Sequence, residues 1–367
     1  MNQKPFLARI EYPLLLALLV LMVGSLVILY SSSGGMEIPL QQLLRFGSGF
    51  LFFFLMLLIP PEQLRKLTPG FYVLTLILLL LVVVAGSRVN GAQRWLNIGI
   101  AKIQPSELAK IIVPMAVAWY STIRHSQLSL FDIIINLLII GLSAGLIFIE
   151  PDLGTTLLVG ASGFIALFLA GLQWWLILLA AGALAVAAPL FWLYGIKEYQ
   201  RDRIITFLNP EADPWGNGYH IIQSQIAIGS GGFYGKGYQQ GTQSQLEFLP
   251  ESNTDFIFSV LGEEFGLLGV ALLLICYGFI IYRGLYLAAR LTSPFARIVV
   301  ATTFLSFFVN VFVNIGMVSG LLPVVGLPLA LISYGGSSII SLLVGFGIAC
   351  NLASAHREVP ESEKMYL

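Results

Sequence analysis

Long apolar runs separated by short polar connections dominate the chain from end to end. Ten runs are visible, at about 12–32, 39–59, 71–87, 106–121, 130–149, 154–170, 174–194, 257–283, 296–319 and 333–353. Most approach the ~20 residues that a helix needs to cross the hydrocarbon core of a bilayer. Only helices and closed barrels satisfy the backbone in lipid, and these runs are too long for barrel strands. The pattern therefore predicts an all-α, polytopic membrane protein with about ten transmembrane helices.

The connections between the runs differ in length and in charge. One of them, residues 196–255, is long, and the rest of the 1–367 chain reads as a single membrane domain. Lys or Arg occurs in both tails and in the connections 60–70, 122–129 and 284–295. Neither occurs in 149–153 or 320–332. By the positive-inside rule both termini are predicted to be cytoplasmic, which makes 196–255 a large extracytoplasmic loop.

Composition agrees with lipid as the main solvent. The chain is 57% hydrophobic and 10% charged, whereas soluble domains carry about 25% charged residues. Its net charge is zero, so there is no electrostatic support for a nucleic-acid partner. Cys276 and Cys350 both lie in apolar runs and indicate no disulfide framework, and no zinc-ligand pattern is present. The first run is long enough to span, which favours an uncleaved helix over a secretory signal.

Asp255 lies where the long polar loop becomes an apolar span, in the segment FLPESNTDFIFSV. Two interpretations are open. Aspartate is favoured as a helix N-cap, and Thr254 could share that task. Alternatively, a carboxylate near apolar surface at the outer membrane face has the properties of a general base.

The segment RVNGAQRWLNIGIAKIQPSELAK, residues 88–110, is basic although it lies on the predicted outside. Arg88 and Arg94 could bind phosphate, or could extend to the interface as ordinary snorkelling side chains. Gln104-Pro105 predicts a helix start. Glu107 and Lys110 then share one helix face, either as an ion pair or as a functional pair kept where charge is costly.

Two further segments combine turn residues with polar groups. In Glu150-Pro151-Asp152 the second carboxylate is expected to cap the next helix, and the pair offers too few oxygens to predict a metal site. The glycine-rich stretch 229–237, which ends near Lys236, allows backbone amides to approach an anion, although it lacks the Walker A pattern.

The order of these motifs along residues 88–350 resembles the SEDS family of peptidoglycan glycosyltransferases. The resemblance rests on NGAQRWL, QPSELAK, EPDLGT, AIGSGGFYGKG, TDFIFSVLGEEFG and GLLPVVGLPLALISYGGSS, and GTQSQLEFLPE is similar to the RodA branch. The chain departs from the family at Ser252-Asn253 and at Glu150, where glutamine is common.

The resemblance implies a function in cell elongation and shape. It implies polymerisation of lipid II in the bacterial inner membrane, with a class B penicillin-binding protein and other elongation-complex proteins as partners. A divalent cation, Mg²⁺ or Mn²⁺, is often associated with the activity. Asp255 is the expected catalytic residue, and the matching motifs make the substrate-site candidates Arg88, Arg94, Glu107, Lys110, Lys236, Glu251 and Thr254. A lipid II flippase and a non-catalytic scaffold are the alternative functions.

Overall fold

A computed structural model of the chain describes residues 9–89, 92–97, 102–123, 128–194, 217–246 and 251–356, together with a few isolated positions. The ten longest helices are α1 Tyr12–Ser33, α2 Glu37–Leu58, α3 Pro61–Ala85, α4 Pro105–Ile123, α5 Leu130–Ile149, α6 Leu153–Leu169, α7 Trp174–Tyr194, α10 Ile257–Ala289, α11 Pro294–Val318 and α12 Ser337–His356. Two shorter helices, α8 Asn217–Ser230 and α9 Thr242–Gln245, lie between α7 and α10.

Each predicted span coincides with one of the ten longest helices, so the polytopic all-α fold is confirmed. Among the described residues, seven helices are long and apolar enough to cross a membrane by themselves. The predicted boundary of the third span is wrong, because α3 begins at Pro61 and not near residue 71. Pro61 occupies the first helical turn, where its missing N–H costs no hydrogen bond, and the helix continues through Pro69.

The connection between α3 and α4 contains strands that the all-α prediction did not include. Strands β1 Ser87–Val89, β2 Ala92–Asn97 and β3 Lys102–Ile103 form an antiparallel sheet in the order β1-β2-β3. Ser87 pairs with Trp95, and Asn97 pairs with Lys102. Three such short strands carry too few alternating residues to be distinguished from a loop by periodicity.

The helices pack side by side around a common core and expose apolar side chains at the periphery. Helix α12 packs along α2, α4 lies against α3 and α6, and α10 packs on α11. Large apolar residues are nevertheless exposed on the outer faces, for example Leu44, Val84, Leu178 and Ile275. This distribution is the one expected for a bundle whose surroundings are lipid.

Helix α10 is interrupted where the glycine-rich segment 229–237 docks on it. Gly266 has φ +62°, and the amides of the next two residues, Leu267 and Leu268, donate to the carbonyls of Gly232 and Phe233 at 2.9 and 3.1 Å. At Gly235, which has φ +81°, a Cβ would lie 2.1 Å from the Glu264 carbonyl oxygen. The segment is thus a packing element against a broken helix. The amides of Lys236 and Gly237 donate to the carbonyls of Glu263 and Glu264, so these two amides are not open to an anion.

Candidate functional site

Asp255 lies in a short irregular segment whose backbone is held by three residues from two other parts of the chain. The carbonyl of Asn253 accepts from the Tyr334 amide at 2.8 Å. The carbonyl of Thr254 accepts from the Ser333 hydroxyl at 2.5 Å. The carbonyl of Asp255 accepts from the Asn314 side-chain amide at 3.0 Å. Three consecutive carbonyls are therefore fixed by residues from α11 and from the segment 333–334, which gives the aspartate a defined position without a regular helix around it.

The Asp255 carboxylate is partly exposed and lies against a glycine. A Cβ built at Gly326 would be 3.6 Å from the Asp255 carboxylate oxygen, and Gly326 has φ +71°, which side chains rarely tolerate. Helix α10 begins at Ile257, with Phe256 in the N-cap position. Asp255 therefore precedes the N-cap position that the first interpretation gave it.

A partly open cavity of about 100 Å³ lies next to this segment, between α4, α6, α11 and α12. Its upper wall includes residues 328–331 and Ser333, which belong to the framework that holds Asp255. Its sides carry polar groups from all four helices, including Lys110, Ser306 and Asn310. The hydroxyl of Ser306 and the amide oxygen of Asn310 are buried without a protein partner. Water or a polar ligand in the cavity would satisfy these two atoms.

The predicted pair Glu107 and Lys110 forms a rim of this cavity. Their side chains join at 2.7 Å, and the other Glu107 oxygen accepts from the Ser341 hydroxyl at 2.7 Å. The ion pair is thus observed, and the same two residues also line the cavity. The structural and functional interpretations of the pair are compatible.

Arg94 is engaged mainly with the turn between α5 and α6. Its guanidinium donates to the carbonyl of Pro151, and its Nε lies 3.9 Å from the Asp152 carboxylate. Asp152 caps α6 by accepting from the Thr155 amide at 3.1 Å, as predicted. Arg88 lies in β1, and its side chain is outside the described part of the structure.

Glu150, in the same turn, is buried and has no hydrogen-bond partner on either carboxylate oxygen. Burial, with a smaller contribution from the neighbouring Asp152 charge, raises its pKa from the usual 4.5 to about 8, and Arg94 only partly opposes the shift. The side chain is therefore mostly a neutral acid at pH 7 and resembles glutamine in charge and shape.

We expect Glu150→Gln to stabilise the protein in a pH-dependent way. The Glu150 carboxyl of the unfolded chain ionises above about pH 4.5, whereas that of the folded protein stays neutral until about pH 8. Between these pH values the wild-type protein therefore loses stability as the pH rises, because ionisation favours the unfolded state. The melting temperature of the variant should exceed that of the wild type by at least about 2 °C at pH 8 and should nearly equal it at pH 4.5. Thermal melts of the purified proteins check this, with the exposed Glu62→Gln as control. An equal shift at both pH values would contradict it.

Lys236 is bound to a fully buried carboxylate of α10. Its ammonium donates to Glu263 at 2.8 Å and to the Thr242 hydroxyl at 2.7 Å. Glu263 also accepts from the amides of Gln243 and Ser244 at 3.0 and 3.3 Å. These contacts join the glycine-rich segment, α9 and α10, so the position of Lys236 is that of a structural residue, although sequence analysis placed it among the substrate candidates.

Glu251 and Thr254 lie next to Asp255 and contact each other. The Thr254 hydroxyl donates to the Glu251 carboxylate at 2.6 Å.

His220 also lies beside these residues, but it could not be selected from the sequence because it is far from them along the chain. Its ring stacks on Phe256 with centroids 5.8 Å apart, and burial lowers its pKa while the Glu251 charge opposes the shift. A neutral imidazole therefore lies beside the segment that contains Asp255.

The described residues do not form a cage for the divalent cation that the resemblance implies. No group of three or more His, Cys, Asp or Glu ligands occurs among them. Glu150 and Asp152 form an acidic pair, but the Arg94 guanidinium lies beside it and disfavours a cation there.

Comparison with known proteins identifies the group to which this arrangement belongs. A family model for the FtsW, RodA and SpoVE cell cycle proteins matches residues 7–358. The chain belongs to this family. The peptidoglycan glycosyltransferase MrdB of Escherichia coli K12 is 52% identical over 274 residues, which cover 75% of this chain and 74% of MrdB.

Solved structures of similar chains agree with the fold. A chain from a study of how a peptidoglycan synthase complex coordinates polymerization and crosslinking has a TM-score of 0.83 at 31% identity and covers 94% of this chain and 97% of its own. The rod shape determining protein RodA of Thermus thermophilus has a TM-score of 0.72 at 28% identity, with coverage of 95% and 98%. The present chain is therefore a multi-pass inner-membrane protein of this family.

Proposed function

We propose that this protein is a peptidoglycan glycosyltransferase that polymerises lipid II into glycan strands during cell elongation and shape maintenance. The observation that carries the proposal is the position of the Asp255 carboxylate, held on a fixed backbone next to a cavity that contains the charged residues Glu107 and Lys110 within an apolar helix bundle. Its relatives in the FtsW/RodA/SpoVE family, including MrdB, are named peptidoglycan glycosyltransferases.

The chemistry needs one base and one stabilised leaving group. Asp255 takes the proton from a hydroxyl of the acceptor sugar, and that oxygen attacks the anomeric carbon of the donor. The bond between this carbon and the pyrophosphate oxygen breaks, and the polyprenyl pyrophosphate leaves with the bonding electron pair. Attack from the opposite face inverts an α linkage to a β linkage, as in inverting glycosidases. Pyrophosphate leaves without a strong acid, and we assign its stabilisation to the ammonium of Lys110, which lines the cavity.

We further propose that both termini are cytoplasmic, so that Asp255 faces the outside of the membrane. The Lys and Arg distribution among the short connections supports this orientation. Gln240 is exposed beside the glycine-rich segment, and Thr292 is exposed at the opposite end of the bundle. A cysteine substituted for Gln240 should then react with a label added outside intact cells, whereas a cysteine substituted for Thr292 should not react. A background with alanine at both native cysteines removes their signal, and the reverse labelling pattern would exclude the orientation.

A class B penicillin-binding protein is the partner that we propose. One structural relative comes from a peptidoglycan synthase complex that polymerizes and crosslinks, which supports pairing with a crosslinking enzyme. Co-purification in detergent, followed by polymerisation assays across partner concentrations, tests the pairing. A polymerisation rate independent of partner concentration would count against activation by the partner.

The alternative functions differ in what they require of the bundle. A flippase needs a polar path across the whole bilayer, whereas the polar lining of the cavity meets a buried aromatic cluster formed by Phe304, Phe307 and Phe346, with ring centroids 5.2–5.4 Å apart. A scaffold needs neither a polar cavity nor an aspartate with a fixed backbone. Both observations favour the enzyme.

Incubation of the purified protein with labelled lipid II, with and without the partner, tests the proposed function. Glycan polymers that a muramidase digests are the expected product. Their absence under every condition, with the protein folded and lipid II intact, would reject the glycosyltransferase.

A further inference from the structure

Arg45 is a charged residue inside a membrane-spanning helix that the proposed reaction does not use. It lies about 12 Å along α2 from Glu37, at 1.5 Å per residue, and the next residue toward Glu37, Leu44, is 75% exposed. A charge at this depth is costly in lipid and is retained where it has a partner or a ligand. Among the described residues no carboxylate lies within ion-pair distance of Arg45.

The guanidinium is held in place by neutral groups and keeps unused donors. Its Nη2 donates to the Tyr334 hydroxyl at 2.7 Å, and its carbon lies 3.9 Å from the centre of the Tyr334 ring. The Tyr334 hydroxyl in turn donates to the side-chain carbonyl of Gln41. The Arg45 Nη1 is buried and has no hydrogen-bond partner. The positive charge is therefore oriented but not neutralised.

This group is joined directly to the catalytic segment. The Tyr334 amide donates to the Asn253 carbonyl at 2.8 Å, two residues before Asp255. Gln42, beside the Arg45 group on α2, donates to the Ser333 carbonyl at 3.0 Å. An anion bound at Arg45 would thus lie on the lipid-facing side of the framework that fixes Asp255.

We propose that Arg45, with Tyr334 and Gln41, forms a binding subsite for the phosphate or pyrophosphate of a lipid. A guanidinium presents N–H donors in a planar fork that matches phosphate oxygens, and its setting on a lipid-exposed helix selects a ligand with an apolar tail. The identity of that lipid rests on the proposed function. In the proposed reaction, both the lipid II donor and the released polyprenyl pyrophosphate carry a pyrophosphate.

Binding of undecaprenyl pyrophosphate to the purified full-length protein in dodecyl maltoside, a phosphate-free detergent, tests the proposal. Arg45→Gln should weaken this binding about 10–100-fold, the usual effect of losing charged hydrogen bonds. Binding of the neutral alcohol undecaprenol should not change. Arg290→Gln is the matched control, because Arg290 also stacks on a tyrosine, Tyr286 at 4.1 Å, but lies at the other end of the bundle. Equal affinity of wild type and Arg45→Gln for undecaprenyl pyrophosphate would overturn the subsite.

A second measurement uses the wild-type protein and so does not depend on how a variant folds. Phenylglyoxal modifies arginine, and mass spectrometry reports the modified fraction of the Arg45 peptide. Undecaprenyl pyrophosphate should protect Arg45 and leave Arg290 reactive, and equal protection by phosphatidylglycerol would assign the site to bulk lipid phosphate. Protection by undecaprenol as well, or by none of the three lipids, would reject the subsite. If undecaprenyl pyrophosphate binds in a way that depends on Arg45 but the wild-type protein forms no polymer, the subsite stands and only the proposed function is rejected.

Discussion

Asp255→Asn should abolish lipid II polymerisation while leaving the protein folded in the membrane. The carboxylate is the base in the proposed reaction, and loss of a general base typically slows a reaction about 10²–10⁴-fold. Asparagine has nearly the same shape, so the contacts of the Asp255 backbone with Asn314 and the fit against Gly326 should persist. Polymer formed per mole of purified protein measures the effect, and size-exclusion chromatography with a thermal melt measures the fold.

The structure removes the main competing explanation for such a result. Phe256, and not Asp255, occupies the N-cap position of α10, so the substitution does not remove a residue from that position. Asn253→Asp is a useful companion variant, because it changes charge two residues away while the Asn253 carbonyl remains bound to Tyr334. Near-normal polymerisation by Asp255→Asn would show that another group is the base, and the neutral His220 beside Phe256 would be examined next.

Lys236→Met should reduce the stability and yield of the protein more than its activity per folded molecule. Glu263 is fully buried, and Lys236 is its cationic partner. Removing one member of a buried ion pair typically costs about 3–5 kcal/mol, because the other charge is left uncompensated. Denaturation of the purified protein in detergent measures the loss, and the exposed Lys66→Met is the control.

A double variant separates the structural effect from a substrate contact. Glu263→Gln removes the buried charge, so the combination with Lys236→Met should be less destabilised than the sum of the single variants. Additive effects would show that the pair does not couple. A Lys236→Met protein that melts normally but no longer polymerises would restore Lys236 to the substrate site.

Much of the fold could be predicted from the sequence because lipid imposes a simple rule. A span must be apolar for about 20 residues, and this signal survives without knowledge of packing. Helix starts were predictable where a local residue determines them, as at Pro105 and Asp152. The start of α3 was missed because its first turns contain Glu62, Arg65 and Lys66, which mark a polar connection in a hydropathy pattern although the helix already includes them.

The candidate site was only partly predictable, because its geometry depends on contacts between distant segments. Asp255 and the pair of Glu107 and Lys110 could be selected because charge is unusual beside or within an apolar run. The same argument applies to Arg45, which the apolar run 39–59 concealed. His220 lies beside Phe256 only after folding, and Lys236 meets Glu263 across 27 residues of sequence. The sequence alone does not show that the residues of either pair lie close together in space.

The three carbonyls of residues 253–255 also set an order for biogenesis. Their partners, Asn314, Ser333 and Tyr334, are synthesised after Asp255, and domains form from the N-terminus during translation. A nascent chain that has inserted α1 to α10 therefore carries Asp255 without the groups that position it. In the proposed reaction, the base acquires its position only after α11 and the segment 333–334 have been inserted.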